Sequence, residues 1–564
     1  MPEGNIGVSC DFFRLCSISP AKKGLQSLMS AVSYQRRWRM TAGVLLIVIL
    51  LPILAVVSSS LVPSEDWDHF VGYVLPDAVV NSVLLVLAVV LGTSVLGVSL
   101  AWLTTMVDLP GRKIFGWLLL APMAVPRYVM GFVYMGLLDY SGPIQSKVRA
   151  GGWGLSFEFR SFWGLVFVMT MSLYPYVFMM ARVAFQSMGK GAMEAAHTLG
   201  WGSWAIFFRL AIPLIVPWWI GGGVLVTMEC LSDFGTVSIF SYDTFTTAIY
   251  KAWFGFFSPH LAAQMALVFF VFLLVLFWIK YWASKRRQFF SLSGLGRAYR
   301  PMIGLSLNGK ILSVCYCSVV LIAGILVPLG QLIYWVFQET KGAGAEVPWR
   351  VLMNTLSLST AVSLVAVVVA MLLVLAGRFD RSWLGRVCGF FASLGYCLPG
   401  AVLAVGVFLS AVWLERVVGM MFPSFSEAVP ELAAGSLWVV AFGLVVRFLA
   451  VAYTTIDNGL KRVAPNIDEV GILHGYRGLR GAMRIHLPLV WKSIFAGGVL
   501  VFIDTLKEMP LVLMTRPHGW DTLAVKIFGY TSEGLWQQAA LPALILLLFG
   551  FLPVAMLALG AERH

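Results

Sequence analysis

Long apolar runs alternate with short polar segments along most of the chain. A helix needs about 20 apolar residues to cross the hydrocarbon core of a bilayer. Uncharged or nearly uncharged runs of that length recur from residue 42 to residue 560. The pattern predicts an all-α integral membrane protein with twelve transmembrane helices. The predicted spans are 42–61, 78–104, 114–138, 161–183, 213–233, 261–280, 311–336, 353–377, 387–412, 434–455, 489–508 and 537–560.

Composition and charge agree with this class, since 59% of the 564 residues are apolar and 12% are charged. A net charge of +13 could indicate nucleic acid. The basic residues are scattered between apolar spans, however, so no nucleic-acid partner is expected. Cytoplasmic loops carry an excess of Lys and Arg. The basic segment from Lys280 to Lys310 is therefore predicted to be cytoplasmic, and the acidic segment 62–77 external. An even number of spans then places both termini in the cytoplasm.

The two halves of the chain repeat each other. Asn81 recurs as Asn354 and Pro126 as Pro399, both at an offset of 273 in the numbering. Because each half has an even number of spans, the pattern predicts two parallel six-helix repeats about an axis along the membrane normal. The first 41 residues lack the apolar core of a signal peptide, so they are predicted to remain as a cytoplasmic tail. The predicted domains are the tail 1–41, a first transmembrane domain 42–283, a cytoplasmic linker 284–308 and a second transmembrane domain 309–564.

A short polar segment is also repeated. Glu194-Ala-Ala-His-Thr-Leu-Gly200 precedes Pro213, and Glu469-Val-Gly-Ile-Leu-His-Gly475 precedes Pro488, at a constant offset of 275. Each segment is predicted to form two helical pieces joined at the Gly, with the Pro opening the next span. Such a stiff elbow on the membrane surface suits docking of another protein. A short amphipathic helix with no partner is the alternative. We call residues 190–213 the first elbow and 465–488 the second elbow.

The elbows resemble the EAA loop of binding-protein-dependent ABC importer permeases, which forms the coupling helix that sits in a groove of the ATPase subunit. The resemblance implies a type I ABC importer permease fold in a bacterial inner membrane. It also implies two ATP-binding subunits at the elbows, a substrate-binding protein outside and membrane lipid around the spans. ATP and Mg²⁺ would lie on the ATPase, and this chain would bind no cofactor. The second elbow departs from the motif, with Val470 and Gly471 in place of two alanines. The matching positions are Glu194, Ala195, Ala196 and Gly200 in the first elbow and Glu469 and Gly475 in the second.

An ATPase site in this chain is excluded by the sequence. Gly304-Leu-Ser-Leu-Asn-Gly309-Lys310 has the outline of a phosphate-binding loop, but Ile311 stands where a Mg²⁺-binding Ser or Thr is required. The segment also opens a membrane span instead of joining a strand to a helix. The chain is therefore not expected to be an enzyme.

Two equivalent pairs of carboxylates lie near the ends of spans five and eleven. Glu229 and Asp233 recur, at the same offset of 275, as Asp504 and Glu508. The i, i+4 spacing places both acids of a pair on one helix face, and Glu229 lies about 24 Å beyond Pro213 along the helix. Ionisable groups at such depth usually face a cavity or a partner. The four acids are predicted to line the transport pathway and to act as transient oxygen ligands of a hard cation such as ferric iron.

Two other accounts of these acids remain open. They could be hydrated at the outer interface, or Lys507 could neutralise a neighbour. Arg127 and Arg447 interrupt spans three and ten. These arginines could reach the membrane surface with their side chains, form structural ion pairs or gate the pathway.

The segments around the acids resemble ferric-iron ABC permeases, and the similarity covers nearly the whole chain from about residue 40. Met509 stands where Leu is more usual. Related fused permeases for thiamine, polyamines or phosphonates are alternatives. A gradient-driven secondary transporter would also show parallel six-span halves, whereas no selectivity-filter sequence indicates a channel. The segments that carry the resemblance are Asp233-Phe-Gly-Thr236, Thr244-Phe-Thr-Thr247, Tyr250-Lys-Ala-Trp-Phe254, Lys507-Glu-Met-Pro510 and Asp521-Thr-Leu-Ala-Val525.

Overall fold

The structure is a computed structural model. It describes residues 20–151, 157–188, 190–285, 303–342, 348–379, 383–422, 435–464, 466–474, 476 and 479–562. Parts of the predicted tail and linker, and Gly475 of the second elbow, lie outside these ranges. Glu469 and some other helical residues are described by their backbone alone.

The described residues form helices and connecting turns, with one isolated parallel β-bridge between Val107 and Ile303. Ten of these helices are long and apolar enough to cross a membrane, and a bent pair would make an eleventh. The predicted all-α membrane class is thus confirmed, while the twelve-helix arrangement in two repeats stays a prediction. The ten are Arg36–Ser60, Trp67–Thr105, Phe162–Ser187, Ser203–Ser232, Pro259–Leu276, Leu307–Glu339, Trp349–Phe379, Gly400–Met421, Leu437–Leu460 and Ala482–Lys507.

Shorter helices occupy the ends of these spans and the segments between them. Several are well buried, which is unusual for surface loops. The shorter helices are Arg112–Leu118, Ala121–Ala124, Arg127–Leu138, Pro143–Ala150, Lys190–Thr198, Gly235–Ile239, Phe245–Tyr250, Trp383–Cys397, Asn466–Leu473, Pro510–Thr515 and Leu523–Ser532, and the last helix, Trp536–Glu562, is apolar over Trp536–Phe551.

Two predicted spans are broken in the middle. The span predicted at 114–138 bends by 89° between Arg112–Ala124 and Arg127–Ala150. The span predicted at 387–412 is interrupted between the helices Trp383–Cys397 and Gly400–Met421. Both breaks occur at a proline with extended backbone, Pro126 (φ −59°, ψ 139°) and Pro399 (φ −57°, ψ 147°). Proline lacks an N–H group and disfavours helical geometry in the residue before it, so a new helix starts immediately after each proline.

The prolines of the elbows were predicted to open their spans, and each is the second residue of its α-helix, Pro213 in Ile212–Ser232 and Pro488 in Leu487–Lys507. Helical backbone nevertheless continues before Pro213, as far back as Ser203. The part directly before this α-helix is a wider π-helical turn, Ile206–Ala211. The second elbow has the equivalent turn, Ala482–His486, directly before the helix Leu487–Lys507. Proline has no N–H group to donate within a helix, and its ring needs space next to the preceding turn. A wider turn before the proline allows for both.

Small residues bring three helices into close contact. A Cβ atom on Gly97 would lie 2.8 Å from the backbone nitrogen of Phe178, and one on Gly222 would lie 3.0 Å from Cα of Val177. Both glycines therefore pack against the helix Phe162–Ser187, the most deeply buried of the ten spans. Association of membrane helices depends on such close backbone approach, because lipid tails are as apolar as the side chains they replace.

The chain divides into two compact units. The smaller comprises Met1–Leu50, Ala366–Leu394 and Leu449–Gly498, and contains most of the second elbow. The larger comprises Leu51–Val365, Gly395–Phe448 and Val499–His564, and contains the first elbow and all four acids. The predicted boundaries of the transmembrane domains stay a prediction.

Candidate functional site

The first acid pair binds one arginine. The Nη1 atom of Arg127 lies 2.6 Å from Oε2 of Glu229, and its Nε atom lies 2.8 Å from Oδ2 of Asp233. The Asp233 side chain is only 5% exposed. Arg127 can reach both acids because the break at Pro126 makes it the first residue of a new helix. The structure therefore shows Arg127 in a partly buried ion pair with both carboxylates of the first acid pair.

The second acid of each pair also caps the short helix that follows it. Asp233 Oδ1 accepts a hydrogen bond from the backbone N–H of Thr236 at 2.8 Å, and Glu508 Oε1 accepts one from the backbone N–H of Leu511 at 3.3 Å. Each bond joins the carboxylate to the third residue after it, and the two bonds occupy equivalent positions in the repeat. A carboxylate at a helix N-terminus is stabilised by the free N–H groups and by the helix dipole.

The second acid pair is neutralised differently. Arg447 Nε lies 3.1 Å from Glu508 Oε2, with both side chains mostly buried. In this half the residue after the proline is Gly400. A Cβ atom there would lie 2.5 Å from Glu508 Oε1 and 3.0 Å from Arg447 Nη1. Gly400 thus leaves the space that Arg447 enters from another helix.

Polar contacts join the two predicted halves at this place. Tyr396 donates a hydrogen bond to Glu229 Oε1 at 3.1 Å. Arg447 Nη2 donates one to Ser232 Oγ at 3.2 Å, and Lys507 Nζ donates one to the carbonyl oxygen of Met123 at 3.3 Å. Each of these contacts pairs a residue of the first half with one of the second. We call Arg127, Glu229, Asp233, Tyr396, Arg447, Asp504, Lys507 and Glu508 the charged cluster.

The four acids do not meet as one group of metal ligands. Among the described residues, no three His, Cys, Asp or Glu side chains lie close enough together to hold a metal ion. Glu229, Asp233 and Glu508 are instead engaged by arginines. Asp504, at i−3 from Lys507, is half-buried. A cation could bind these oxygens only after an arginine moved away.

Replacing Gly400 by Ala is expected to destabilise the protein by about 1–3 kcal/mol, because the methyl group would press on Glu508 and Arg447 in an already packed site. Thermal unfolding of the purified protein measures the effect. Gly419 lies on the same helix, and a Cβ atom there would meet nothing within 4 Å. Gly419→Ala should therefore leave the melting temperature unchanged or slightly raised. Equal behaviour of the two variants would contradict the packing described.

A buried, threonine-rich segment follows the first acid pair, and the sequence did not lead us to expect it. Thr236 and Thr246 are 0% and 1% exposed. The hydroxyl of Thr246 donates to the carbonyl oxygen of Asp233 at 2.7 Å. Non-helical backbone at membrane depth occurs where it is buried in protein or lines a cavity. The only sequence signal for this segment was its resemblance to ferric-iron ABC permeases, which included parts of residues 233–254.

Equivalent hydroxyl groups hold the segments after both acid pairs. Ser82 Oγ accepts from the backbone N–H of Phe245 at 3.3 Å, and Thr355 Oγ1 accepts from the backbone N–H of Leu523 at 2.8 Å. Ser82 and Thr355 directly follow the repeated asparagines and share their offset of 273. The repeated asparagines therefore lie next to the hydroxyl groups through which each long helix hydrogen-bonds the segment that follows an acid pair.

The first elbow contains the predicted helix and turn. The helix Lys190–Thr198 is followed by a turn at Gly200, whose φ of +72° is readily adopted only by glycine. The N–H of Trp201 then bonds back to the carbonyl oxygen of Ala196 at 3.0 Å. Glu194 and Ala195 are exposed, whereas Ala196 is buried. Large apolar side chains are also exposed here: Leu199 (69%), Trp204 (74%) and Phe208 (59%).

The second elbow has an equivalent helix and backbone hydrogen bond among its described residues, despite its different sequence. Its helix is Asn466–Leu473, and the N–H of Tyr476 bonds to the carbonyl oxygen of Gly471 at 2.9 Å, which is the equivalent of the Trp201 bond. A Cβ atom on Gly471 would lie 2.5 Å from Cδ1 of Ile485. The glycine that replaces the second alanine of the motif therefore makes room for an isoleucine.

Comparison with known proteins agrees with this geometry. Residues 93–289, which include the first elbow and the first acid pair, match the family "Binding-protein-dependent transport system inner membrane component". Residues 93–289 are therefore similar to a permease subunit of this kind. Such a permease is a multi-pass inner membrane protein without catalytic activity of its own. The family implies a partner ATPase, which hydrolyses the ATP, and a substrate-binding protein.

Three relatives illustrate the range of this similarity. The chain is 25% identical over 482 residues to the Fe(3+)-transport system permease protein FbpB 2 of Haemophilus influenzae, covering 85% of this chain and 88% of that protein. It is 29% identical over 144 residues to the molybdenum transport system permease protein ModB of Escherichia coli K12, covering 26% and 62%. It is 34% identical over 151 residues to the sulfate transport system permease protein CysW of the same strain, covering 26% and 50%.

Proposed function

We propose that the chain is the permease of an ABC importer and that this permease imports ferric iron delivered by an extracytoplasmic binding protein. The observation that carries this proposal is the similarity to FbpB 2, which extends over 85% of the chain. The matches to the molybdenum and sulfate permeases each cover 26% of it. An alignment of 482 residues must run through both predicted halves of the chain. A shorter match can reflect the transport machinery alone.

The charges in the charged cluster support a cationic substrate. Four carboxylates, Glu229, Asp233, Asp504 and Glu508, face three cations, Arg127, Arg447 and Lys507, which leaves one formal negative charge. Ferric iron is a hard cation that prefers oxygen ligands. We propose that the acid pairs line the pathway and become transient ligands when the arginines separate from them. An oxyanion would instead be repelled by the excess carboxylate.

The elbows are the proposed sites of coupling to two ATPase subunits. Glu194, Ala195 and Gly200 are exposed on the first elbow beside a patch of apolar side chains. Exposed apolar patches commonly mark protein interfaces. The helix Ser203–Ser232 runs from the first elbow to the first acid pair. Movement of the elbow would therefore shift the acids directly. ATP and Mg²⁺ remain on the ATPase subunits in this proposal.

We further propose that the chain carries two parallel six-helix domains, 42–283 and 309–564, with both termini in the cytoplasm. Equivalent local contacts support this: the caps made by Asp233 and Glu508, and the hydroxyl ties at Ser82 and Thr355. Together with the equivalent backbone hydrogen bonds in the elbows, these contacts recur at nearly the same offset along the chain. A repeat of this length indicates duplicated structural units.

Substrate-stimulated ATPase activity of the reconstituted complex tests the proposed substrate. The permease would be assembled with its ATPase and binding protein, and ferric iron compared with molybdate, sulfate, thiamine, a polyamine and a phosphonate. We expect stimulation and uptake with ferric iron alone. Stimulation by one of the other solutes, with ferric iron inactive, would assign the permease to that solute. Uptake that needs no ATPase subunit would instead indicate a gradient-driven transporter.

A further inference from the structure

A partly buried ion pair attaches the helix of the second elbow to a neighbouring span. Arg378 lies at the end of the helix Trp349–Phe379, and Asp468 lies on the elbow helix Asn466–Leu473. The Nε atom of Arg378 is 2.7 Å from Oδ2 of Asp468, with side chains 14% and 18% exposed. Such a pair holds two elements in a fixed relation, because separating it would leave charges in a poorly hydrated place.

The same arginine also binds the end of a third helix. Its Nη1 atom donates to the carbonyl oxygen of Leu460 at 2.9 Å, and its Nη2 atom donates to that of Val463 at 3.2 Å. The last carbonyl groups of a helix have no partner within it, and a cation there satisfies them. Arg378 therefore ties the end of Leu437–Leu460, the segment after it and the elbow helix to one guanidinium group.

His486 completes the attachment from the other side. Its Nε2 atom is 3.3 Å from Oδ1 of Asp468, and its side chain is 2% exposed. Its ring also packs edge-on against Phe379, with centroids 5.4 Å apart. His486 is the last residue of the π-helical turn that leads into the helix Leu487–Lys507. We call Arg378, Asp468 and His486 the second-elbow anchor.

The first elbow is attached by apolar packing instead. The residues that correspond to Asp468 and His486 at the offset of 275 are Met193 and Ala211, and both are fully buried. Thr105 corresponds to Arg378 at the offset of 273, and its hydroxyl is buried without a hydrogen-bond partner among the described residues. The repeated elbows thus differ in how they are joined to the spans, although they share an equivalent helix and backbone hydrogen bond.

We propose that Arg378 and Asp468 are positioning residues that make the second elbow move together with the spans it drives. The proposal rests on the proposed function, since it assigns this joint a part in coupling ATP hydrolysis to transport. Without the Asp468 charge, Arg378 would keep its carbonyl contacts but release the elbow helix. The ATPase could then move that helix without moving the span beyond His486.

The number of substrate ions imported per ATP hydrolysed tests this proposal. Asp468→Asn should lower that ratio at least about fivefold, the low end of measured coupling between two sites, while the ATPase stays bound. Arg378→Lys keeps the charge and should retain more of the ratio than Arg378→Gln. Asp457 pairs with Lys461 near the same helix end, and these two side chains are 25% and 69% exposed. The matched control Asp457→Asn should leave the ratio unchanged.

The outcomes separate this inference from the proposed function. If the unmodified complex shows no ATP-driven uptake, the proposed function fails before any variant is compared. If the unmodified complex is active and Asp468→Asn keeps the full ratio, the positioning role is overturned. A loss of protein, bound ATPase and uptake in parallel, at an unchanged ratio, would also overturn it, because that pattern indicates a structural role only.

Discussion

Replacing Arg127 by Gln is expected to cost about 3–5 kcal/mol of stability and to abolish most uptake. The change removes the cation but leaves Glu229 and Asp233 in place. A buried carboxylate without its partner is strongly destabilising, and here two would share one site. Thermal unfolding of the purified complex and tracer uptake into proteoliposomes measure the two effects.

A triple variant distinguishes the charge from the shape of this site. Adding Glu229→Gln and Asp233→Asn to Arg127→Gln removes all three charges while keeping groups that can hydrogen-bond. This variant should regain most of the lost thermal stability but not the uptake. Arg160 is exposed, so Arg160→Gln should change neither quantity. An unaltered melting temperature in Arg127→Gln would contradict the partly buried ion pair.

Reversing the charge of the acid in both elbows is expected to reduce function more than the Arg127→Gln change does. Glu194→Arg and Glu469→Arg should each weaken ATPase binding by about 2 kcal/mol, the usual threshold for an important interface residue, or about thirtyfold. If the elbows act independently, the double variant loses about 4 kcal/mol, or roughly a thousandfold. Co-purification of the ATPase with the permease measures the loss.

A charge reversal elsewhere provides the control for the elbows. Glu158 is exposed and lies between the predicted spans 114–138 and 161–183, where the predicted topology puts the chain outside. Glu158→Arg should therefore leave the ATPase bound. The double elbow variant should remain folded, since Glu194 is exposed. Normal recovery of the ATPase with this variant would show that the enzyme docks elsewhere.

The hydropathy pattern predicted the class of the protein but not the shape of every span. Apolar runs do not reveal a break, because a broken helix and a straight one can be equally apolar. Pro126 and Pro399 were recognised as a repeat, yet proline is common in membrane helices and often causes only a kink. Packing around Arg127 and Gly400 decides the outcome at these two positions.

The acids were found from their offset of 275, but their partners could not be. Arg127 corresponds at the offset of 273 to Gly400, and Arg447 corresponds at 275 to Ser172. Each acid pair therefore receives its arginine from a different place in the repeat. A search for residues that recur at a constant offset therefore finds the acids but misses the arginines, because the two arginines do not occupy equivalent positions. The volume freed at Gly400 explains the exchange only once the helices are placed.

The motif of the second elbow was also only partly readable from the sequence. From the sequence, Val470 and Gly471 were only a departure from the motif. In the structure, the absence of a side chain at Gly471 leaves the space that the side chain of Ile485 occupies, so the two residues fit each other inside the elbow. The anchor residues Arg378, Asp468 and His486 were not singled out, because they lie far apart in sequence and their counterparts in the first half are not ionisable.

The energy source of uptake tests the central claim most directly. Proteoliposomes that contain the permease with its ATPase and binding protein would be supplied with ferric iron, with or without nucleotide, and with or without a proton gradient. We predict accumulation that requires ATP hydrolysis, ignores collapse of the gradient and disappears in the double elbow variant. Accumulation driven by the proton gradient without nucleotide, or undiminished in that variant, would contradict the account.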